Sequence, residues 1–304
     1  MITVETIAEA RAECDAARAA GKTVGFVPTM GFFHEGHRSL MRAARAANDF
    51  VVVSLFVNPT QFAPAEDLAA YPRDPVGDAA VAETEGVDVL FVPEVAAMYP
   101  AGTCTTVHVD GLTAGLCGAT RAGHFDGVTT IVAKLFSIVG PCRAYFGRKD
   151  AQQLAVIQRM TADLDLPVEV VGCPLVREHD GLAMSSRNAY LDAEARRAAT
   201  ILAASLYLAS EAVVAGQRDA AAIRGLIVDT VSRSPLVRLE YAEVVDAATL
   251  APVDQLVRDT LVALAARVGK ARLIDNVTIS FPGGVATPDL GVLTASSGMQ
   301  EVDH

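Results

Sequence analysis

The feature that most constrains this chain is the alternation of short apolar runs with amphipathic helical segments over residues 1–175. Residues 50–57 form an almost continuously apolar run, which is typical of a strand buried on both faces of a parallel sheet. A predicted helix over residues 36–47 connects an earlier strand to this run, and such a unit takes a right-handed crossover. We therefore predict an α/β fold with a doubly wound, Rossmann-like parallel sheet.

The same pattern predicts the other elements of this domain. A helix is expected over residues 3–20, and a first strand over residues 23–27 is expected to stop at Pro28. Further helices are predicted over residues 78–85, 128–139 and 151–164, and further strands over residues 87–92, 144–146 and 168–171.

The chain changes character after residue 175. Residues 176–283 are predicted to form a smaller α+β domain that acts as a lid over the site. Its elements are two alanine-rich helices and two strand-like runs, over residues 193–215, 219–232, 239–245 and 260–267. Residues 284–304 show little pattern and are predicted to be a loose tail.

Composition excludes several classes of protein. A net charge of −11 argues against general binding of nucleic acid or anionic lipid, because both require basic surfaces. The five cysteines are scattered without a C-x-x-C pair, which favours a reducing compartment over a disulfide scaffold. The N-terminus lacks the order of a signal peptide, and no apolar run approaches the length of a membrane span. We expect a cytoplasmic protein.

Polar clusters follow three of the predicted strands, over residues 28–37, 58–61 and 147–153. Ligands bind outside the carboxyl ends of strands in such sheets, so these clusters are expected to meet at one rim. His34 and His37 flank Gly36 at a helix N-terminus, where backbone N–H groups favour an anion. One histidine there would be a cap or a core residue. Two of the six in the chain favour a phosphate site.

Lys149 also follows a strand and a glycine and precedes a helix. Of the 25 basic residues, four are lysines, so a lysine at this position favours contact with a phosphate chain over a solvated surface role. Its neighbour Asp150 is suited to ribose hydroxyls. Gln61 and Gln153 gain interest from their position beside these clusters, and the Ser-Ser-Arg loop within residues 181–188 can wrap phosphate oxygens.

These residues resemble a known family. His34-x-Gly36-His37 is similar to the H-x-G-H signature of the nucleotidyltransferase superfamily that includes class I aminoacyl-tRNA synthetases, and Met184 to Arg187 resembles its mobile phosphate-binding signature. The longer strings resemble the pantoate–β-alanine ligase family over residues 23–276. They are Val27-Pro28-Thr29-Met30-Gly31, Phe56-Val57-Asn58-Pro59-x-Gln61-Phe62, Tyr71-Pro72-Arg73, Gly123-His124-Phe125-x-Gly127-Val128, Phe146-Gly147-x-Lys149-Asp150-x-Gln152-Gln153, Asp180-Gly181-Leu182-Ala183 and Arg272-Leu273-Ile274-Asp275-Asn276.

The resemblance implies a reaction in two steps. ATP and (R)-pantoate form pantoyl-adenylate and pyrophosphate with Mg²⁺, and the amine of β-alanine then releases AMP and pantothenate. It also implies a homodimer, and residues 1–175 become the ATP- and pantoate-binding domain.

The resemblance further implies roles for residues at matching positions. His34, His37, Lys149 and Arg187 would be catalytic, with His37 as the proton donor. The implied ATP-binding residues are Met30, Gly31, His34, Gly36, His37, Gly147, Arg148, Lys149, Asp150, Val176, Met184, Ser185, Ser186 and Arg187. The implied residues at the other substrates are Gln61, Gln153, Asn58, Arg121 and His124. Asp78 is a candidate metal ligand. Arg148, Cys117 and Thr60 depart from the residues that are frequent in the family.

Three alternatives remain at this level. A zinc protein is one, although the H-E-x-x-H pattern would need histidine where Arg38 stands. A related nucleotidylyltransferase acting on another small acceptor is the nearest enzymatic alternative. A non-catalytic nucleotide-binding module is the third.

Overall fold

The computed structural model describes residues 1–64 and 66–294, and its central layer is a six-stranded parallel sheet in the order β1–β4–β3–β2–β5–β6. The strands of this sheet are β1 Ile2–Val4, β2 Val24–Thr29, β3 Phe50–Leu55, β4 Val89–Phe91, β5 Cys142–Gly147 and β6 Val168–Cys173. The connecting helices are α1 Ile7–Ala19, α2 Glu35–Ala47, α3 Pro75–Thr84, α4 Val95–Met98, α5 Leu116–Thr120, α6 His124–Val139 and α7 Ala151–Asp163.

Helices cover both faces of this sheet. On one face, α1, α6 and α7 bury an apolar core that includes Phe26, Phe91 and Phe146. On the other face, α2 and α3 pack against Val27 and Val53. The strands are therefore apolar on both sides, as the run after residue 49 indicated. The predicted doubly wound α/β fold is confirmed.

The N-terminal prediction was wrong in part, because residues 3–20 are not one helix. Thr3 pairs with Leu90 in a short parallel strand, so hydrogen bonding to β4 overrides local helix propensity. The helix begins after Thr6, whose hydroxyl accepts from the backbone N–H of Glu9 at 3.2 Å, and the Glu9 carboxylate accepts from the backbone N–H of Thr6 at 3.0 Å. This reciprocal capping box fixes the start of α1.

Pro28 does not stop the first long strand. β2 continues to Thr29, and Pro28 pairs with Ser54 of β3. The pairing of β2 with β5 ends earlier, at Phe26 and Ala144, so the missing N–H of proline leaves no gap in that ladder.

A second sheet is antiparallel, in the order β11–β10–β9–β8. After the short β7 Val176–Arg177, its elements are the helices α8 Ala193–Val214 and α9 Ala220–Val231 and the strands β8 Val237–Asp246, β9 Thr260–Val268, β10 Ala271–Ser280 and β11 Thr287–Asp289. Side chains of α8 and α9, such as Leu206 and Ile227, pack with Val262 and Leu264 of the sheet in a core of their own.

The predicted loose tail over residues 284–304 was wrong for its first part. β11 extends the second sheet by pairing with β10, and β12 Val292–Leu293 pairs in parallel with β7. These pairings are long-range, so the sequence pattern of the segment itself gave no sign of them. Residues 295–304 lie outside the described residues.

Helix α8 qualifies the expectation about membrane spans. This helix of 22 residues is long and apolar enough, by length and composition, to cross a membrane. The sequence pattern had been interpreted as containing no run of that length. Buried residues along it, including Leu202 and Leu206, belong to the second core, as in a core helix of a globular domain.

Candidate active site

A cavity of about 500 Å³ opens at the carboxyl ends of β2, β3 and β5. The chain runs outward from β2 through β3 to β4 and then returns to the other side of β2 at β5, so the cavity lies at a topological switch point. The second sheet contributes Tyr241, Arg272 and Asn276 to the wall of the cavity. The volume is that of an ordinary small-molecule pocket.

The three polar clusters meet in this cavity, as their positions after the strands predicted. The predicted site residues that line it are Met30, His34, Gly36, His37, Asn58, Gln61, Arg121, His124, Gly147, Lys149, Asp150, Gln153, Val176, Met184, Ser185, Ser186 and Arg187. Gly31, Arg148 and Asp78 lie outside the lining.

The first turn of α2 fixes both histidines. His34 is the N-cap residue, and its Nδ1 accepts from the backbone N–H of Gly36 at 3.1 Å, while His37 Nδ1 accepts from the backbone N–H of His34 at 3.3 Å. These hydrogen bonds assign the proton of each neutral ring to Nε2. The ring centroids are 4.2 Å apart, and a Cβ at Gly36 would lie 2.9 Å from the His34 ring. Glycine at this position therefore makes room for the stacked rings.

Both imidazoles are neutral near pH 7. Burial lowers the pKa of His34 to about 2, and the charges of His37 and Lys149 act in the same direction. Burial and then the Lys149 ammonium lower the pKa of His37 to about 4. Each ring can donate a hydrogen bond from Nε2 to an anionic oxygen beside the helix N-terminus.

The Lys149 loop is held from the second sheet. Asn276 Nδ2 donates to the backbone oxygen of Lys149 at 2.8 Å and to that of Arg148 at 3.1 Å. Burial lowers the pKa of Lys149, and its ammonium forms no ion pair within residues 1–64 and 66–294. A half-buried cation without a protein partner favours an anionic ligand.

Arg187 comes from a loop that begins beside β7, where the backbone N–H of Met184 donates to the oxygen of Val176 at 3.0 Å. The Arg187 guanidinium makes a bidentate ion pair with Asp67 at 2.9 and 3.0 Å and lies 5.8 Å from the centroid of the Tyr71 ring. An incoming phosphate would compete with the Asp67 carboxylate for this guanidinium.

Gln61 lies in a short 3₁₀ turn, Pro59–Gln61, that follows β3. Its Nε2 contacts Met30 Sδ at 2.8 Å, a weak acceptor that a ligand oxygen can replace. Asn58 connects this turn to α6, because its Nδ2 donates to Gln61 Oε1 at 3.2 Å and to the Gly127 oxygen at 3.0 Å. The Asn58 amide is thus occupied in holding Gln61 against α6.

Arg121 and His124 border the cavity as one fixed network. The Arg121 guanidinium makes two contacts of 2.6 Å with Glu66, and a third nitrogen lies 2.8 Å from His124 Nε2. His124 Nδ1 donates to the backbone oxygen of Gln61 at 2.8 Å, so Nε2 accepts from Arg121. Burial, aided by the Arg121 charge, lowers the pKa of His124 to about 4.

The two adjacent glutamines after Asp150 have different tasks. Gln152 is buried and fully bonded, since its Oε1 accepts from the Cys117 N–H and its Nε2 donates to two backbone oxygens of the preceding loop. Gln153 lines the cavity, and its side chain forms no hydrogen bond to the described part of the chain. Of these two glutamines, Gln153 is therefore the one whose side-chain amide is available to a ligand.

The chain is similar to known proteins over most of its length. A family model described as pantoate-beta-alanine ligase matches residues 2–278. The pantothenate synthetase of Heliobacterium modesticaldum is 55% identical over 279 residues, which are 92% of this chain and 99% of the relative. The chain belongs to the pantoate–β-alanine ligase family.

Solved structures agree with this membership. The pantothenate synthetase of Thermus thermophilus gives a TM-score of 0.87 at 49% identity, covering 91% of this chain and 98% of that one. The pantoate-beta-alanine ligase of Francisella tularensis, complexed with beta-gamma ATP and β-alanine, gives 0.74 at 32% identity over 91% and 97%. The resemblance that the motifs carried is confirmed.

Two predicted residues have other contacts in this member of the family. Arg148, implied to hold ATP, pairs with Asp289 at 2.8 Å. Asp78, the candidate metal ligand, is buried, and its two oxygens accept from the backbone N–H groups of Phe32 at 2.8 Å and Phe33 at 2.6 Å. Asp78 thus shapes the turn before α2, in which Phe32 has a positive φ of 54°. In the described chain it belongs to no cluster of metal-ligating side chains.

Sequence reasoning did not assign three residues that support the site. Asp67 holds Arg187, Glu66 holds Arg121, and Asn276 holds the Lys149 loop. Asn276 lies in a quoted motif, but its task depends on a contact between the two sheets. Glu66 and Asp67 lie in an irregular segment where no periodic pattern gives a signal.

Proposed function

We propose that this cavity binds ATP, (R)-pantoate and β-alanine and joins the two acids into pantothenate through a pantoyl-adenylate. The observation that carries the proposal is the convergence of two neutral imidazoles, the Lys149 ammonium and the Arg187 guanidinium on one cavity. The ligands of the Francisella relative support the assignment of ATP and β-alanine to this fold.

In the first step, a carboxylate oxygen of pantoate attacks the α-phosphorus of ATP. The bond from that phosphorus to the bridging oxygen breaks, and pyrophosphate leaves with the electron pair. Lys149 and Arg187 neutralise the charge on the phosphates, while His34 and His37 donate from Nε2. Gln61 and Gln153 hold pantoate, so the chain acts by placing the reactants in line and needs no protein nucleophile.

In the second step, the amine of β-alanine attacks the acyl carbon of the adenylate. The carbon–oxygen bond to AMP breaks, AMP leaves with the electron pair, and the new amide nitrogen loses a proton to water. Arg121 and His124 fix the wall beside Gln61 while this occurs.

Mg²⁺ is proposed as the partner of the phosphates of ATP. The side chains do not by themselves fit a metal cage, because both Asp78 oxygens accept backbone N–H groups and no cluster of three metal-ligating side chains exists in residues 1–64 and 66–294. Mg²⁺ commonly binds through substrate phosphates and water, so it would enter as the magnesium complex of ATP.

The setting of the reaction is also a proposal. A net charge of −11 and scattered cysteines support a cytoplasmic enzyme of small molecules that binds neither nucleic acid nor membrane. We also propose a homodimer, which the family resemblance implies, and light scattering on the purified protein tests it.

The function is tested with purified protein, Mg²⁺, ATP, pantoate and β-alanine, with AMP and pantothenate as the measured products. Omission of β-alanine should leave a bound pantoyl-adenylate and one equivalent of pyrophosphate. Formation of ADP instead of AMP, or pyrophosphate release that requires β-alanine, would contradict the proposed order of steps.

A further inference from the structure

Residues 287–294, the C-terminal strap, lie beyond the family match, which ends at residue 278. The strap leaves the second sheet as β11 and crosses to β7 as β12. It thereby connects the second sheet to the segment from which the phosphate-binding loop departs. A segment that lies outside the family match therefore contacts the part of the chain that carries the phosphate-binding loop.

The contact of the strap with β7 is made by backbone atoms at close range. The N–H of Val292 donates to the oxygen of Leu175 at 2.8 Å, and the N–H of Thr294 donates to that of Arg177 at 2.8 Å. Just before them, Gly291 has a φ of +78°, and a Cβ there would lie 2.3 Å from the Leu175 oxygen. Position 291 requires glycine, because its backbone has a positive φ and because the Leu175 oxygen leaves no space for a Cβ.

The strap also binds Arg177, a fully buried residue of β7. Arg177 Nε donates to the strap oxygen of Leu290 at 2.6 Å, and its other nitrogens pair with Asp275 at 2.7 and 2.9 Å. Asp275 precedes Asn276, whose amide holds the backbone oxygen of Lys149. Arg177 Nη2 also donates to the backbone oxygen of Asn276 at 3.3 Å, so a continuous set of hydrogen bonds runs from the strap to the Lys149 loop.

A second route leads to the phosphate-binding loop. Leu175 and Val176 line the cavity, and the Val176 oxygen accepts from Met184 at the start of that loop. The strap is thus hydrogen-bonded to one edge of β7, and the phosphate-binding loop is hydrogen-bonded to the other edge. Asp289 adds an ion pair with Arg148, although a pair this exposed contributes little by itself.

We propose that the C-terminal strap is a positioning element for ATP, which sets the Lys149 loop and the Met184 loop at the spacing that the triphosphate needs. The proposal rests on the proposed function of the cavity. It does not extend to β-alanine, since Gln61 and the Arg121 network are held by β3 and α6 instead.

Two truncated forms of the protein, compared with the full chain, test the proposal. A chain ending at Ala286 lacks the strap, and a chain ending at Thr294 keeps it as the matched control. We expect the first to raise both Kd and KM for ATP at least about tenfold, because the loss of one hydrogen bond to a charged phosphate is enough for a change of that size. Its KM for β-alanine should change less than about twofold, and the control should match the full chain.

A pair of glycine variants covers the case in which the shorter chain does not fold. Gly291→Ala brings a Cβ against the Leu175 oxygen. Gly284→Ala places alanine at a similar positive φ of +84°, but no atom lies within 4 Å of its Cβ. We expect Gly291→Ala alone to weaken ATP binding, measured as Kd by titration calorimetry without turnover.

The outcomes separate the two proposals. An ATP Kd unchanged by both Gly291→Ala and loss of the strap would overturn the positioning role, as would equal losses for ATP and β-alanine that follow the unfolded fraction. A full chain that binds ATP but forms no pantothenate would count against the proposed function and leave the Kd comparison decisive for the strap.

Discussion

At the scale of single residues, the cavity contains two neutral imidazole donors, His34 and His37, beside the Lys149 ammonium, which forms no ion pair within the described part of the chain. His34 and His37 each use Nδ1 to accept a backbone N–H, so the turn that starts α2 also selects the tautomer. Lys149 stands close enough to depress the pKa of both rings. Polyphosphate brings negative charge into this set, so its binding should raise those pKa values again.

Histidine titration followed by NMR tests this electrostatic picture. The midpoints of His34, His37 and His124 should lie below about pH 5, against about 6.5 for an unfolded chain. His108, between Asp126 at 2.6 Å and Asp110 at 3.0 Å, should titrate above its usual value, because both carboxylates raise its pKa.

ATP should move the titrations of His34 and His37 upward and leave that of His108 unchanged. Protonation of His34 and His37 also affects the stability of the fold. Below about pH 6.5 the histidines of the unfolded chain bind protons while these buried rings stay neutral. The free energy of unfolding therefore falls on acidification, down to about pH 4 for the contribution of His37 and to about pH 2 for that of His34. Ordinary midpoints near 6.5 for both rings would contradict their burial.

Lys149→Ala removes a cavity cation that forms no ion pair with the described residues. We expect pyrophosphate release to fall by roughly two to three orders of magnitude, since one preorganised donor at developing charge is commonly worth that much. Stability should hardly change, because no ion pair is broken. Lys22→Ala, outside the cavity and beside Phe50, is the matched control. Near-normal pyrophosphate release by Lys149→Ala would remove the residue from the proposed mechanism.

His34→Asn separates the two tasks of this histidine. Asparagine is a good N-cap residue and can replace Nδ1 in accepting the Gly36 N–H, but it lacks a donor at the position of Nε2. We expect adenylate formation to drop by orders of magnitude while the thermal midpoint stays close to that of the parent chain. His34→Ala should lose the cap as well, at a cost of about 1 kcal/mol. Equal activity of His34→Asn and the parent would show that the ring serves only as a cap.

At the scale of elements, the site depends on how closely α6 approaches the turn after β3. A Cβ at Gly127 would lie 2.4 Å from the Thr60 oxygen and 2.7 Å from Gln61 Cα. The backbone oxygen of Gly127 also accepts from Asn58. Gln61 is therefore placed by a helix that comes from a distant part of the chain.

Gly127→Ala should push this turn outward. We expect the KM for pantoate to rise about tenfold or more through misplacement of Gln61, with a smaller change in the KM for ATP. Gly225→Ala in α9 has nothing within 4 Å of the new Cβ and should be neutral or stabilising by up to about 1 kcal/mol. Steady-state kinetics of both variants give the comparison, and an unchanged KM for pantoate in Gly127→Ala would exclude the positioning of Gln61 by α6.

At the scale of the whole molecule, sequence reasoning recovered what the local pattern encodes. Apolar runs and helix periodicity predicted the parallel sheet, and residues after strand ends predicted the rim, including His34 and Lys149. It missed β1 and the pairing of residues 287–294, because both depend on partners far along the chain. The task of Asn276 was hidden for the same reason, since it exists where two sheets meet.

The buried pair of Arg177 and Asp275 is the point at which those distant parts join. Both side chains are 1% exposed, and Arg177 also binds the oxygens of Gly181 and Leu290. Asp275→Asn would leave the guanidinium charge buried without its counter-charge, so we expect the free energy of unfolding to fall by about 3–5 kcal/mol. Glu169→Gln breaks the pair with Arg143, whose side chains are 45% and 65% exposed, and should hardly change it.

Urea denaturation measures both variants of that comparison, and ATP Kd gives a second readout. If the buried pair couples the second sheet to the Lys149 loop, Asp275→Asn should weaken ATP binding even in conditions where the variant is fully folded. A loss of stability with ATP affinity intact would mean that the pair holds the sheets together without setting the loop. Stability equal to that of Glu169→Gln would mean that the buried Arg177 guanidinium does not depend on the charge of Asp275.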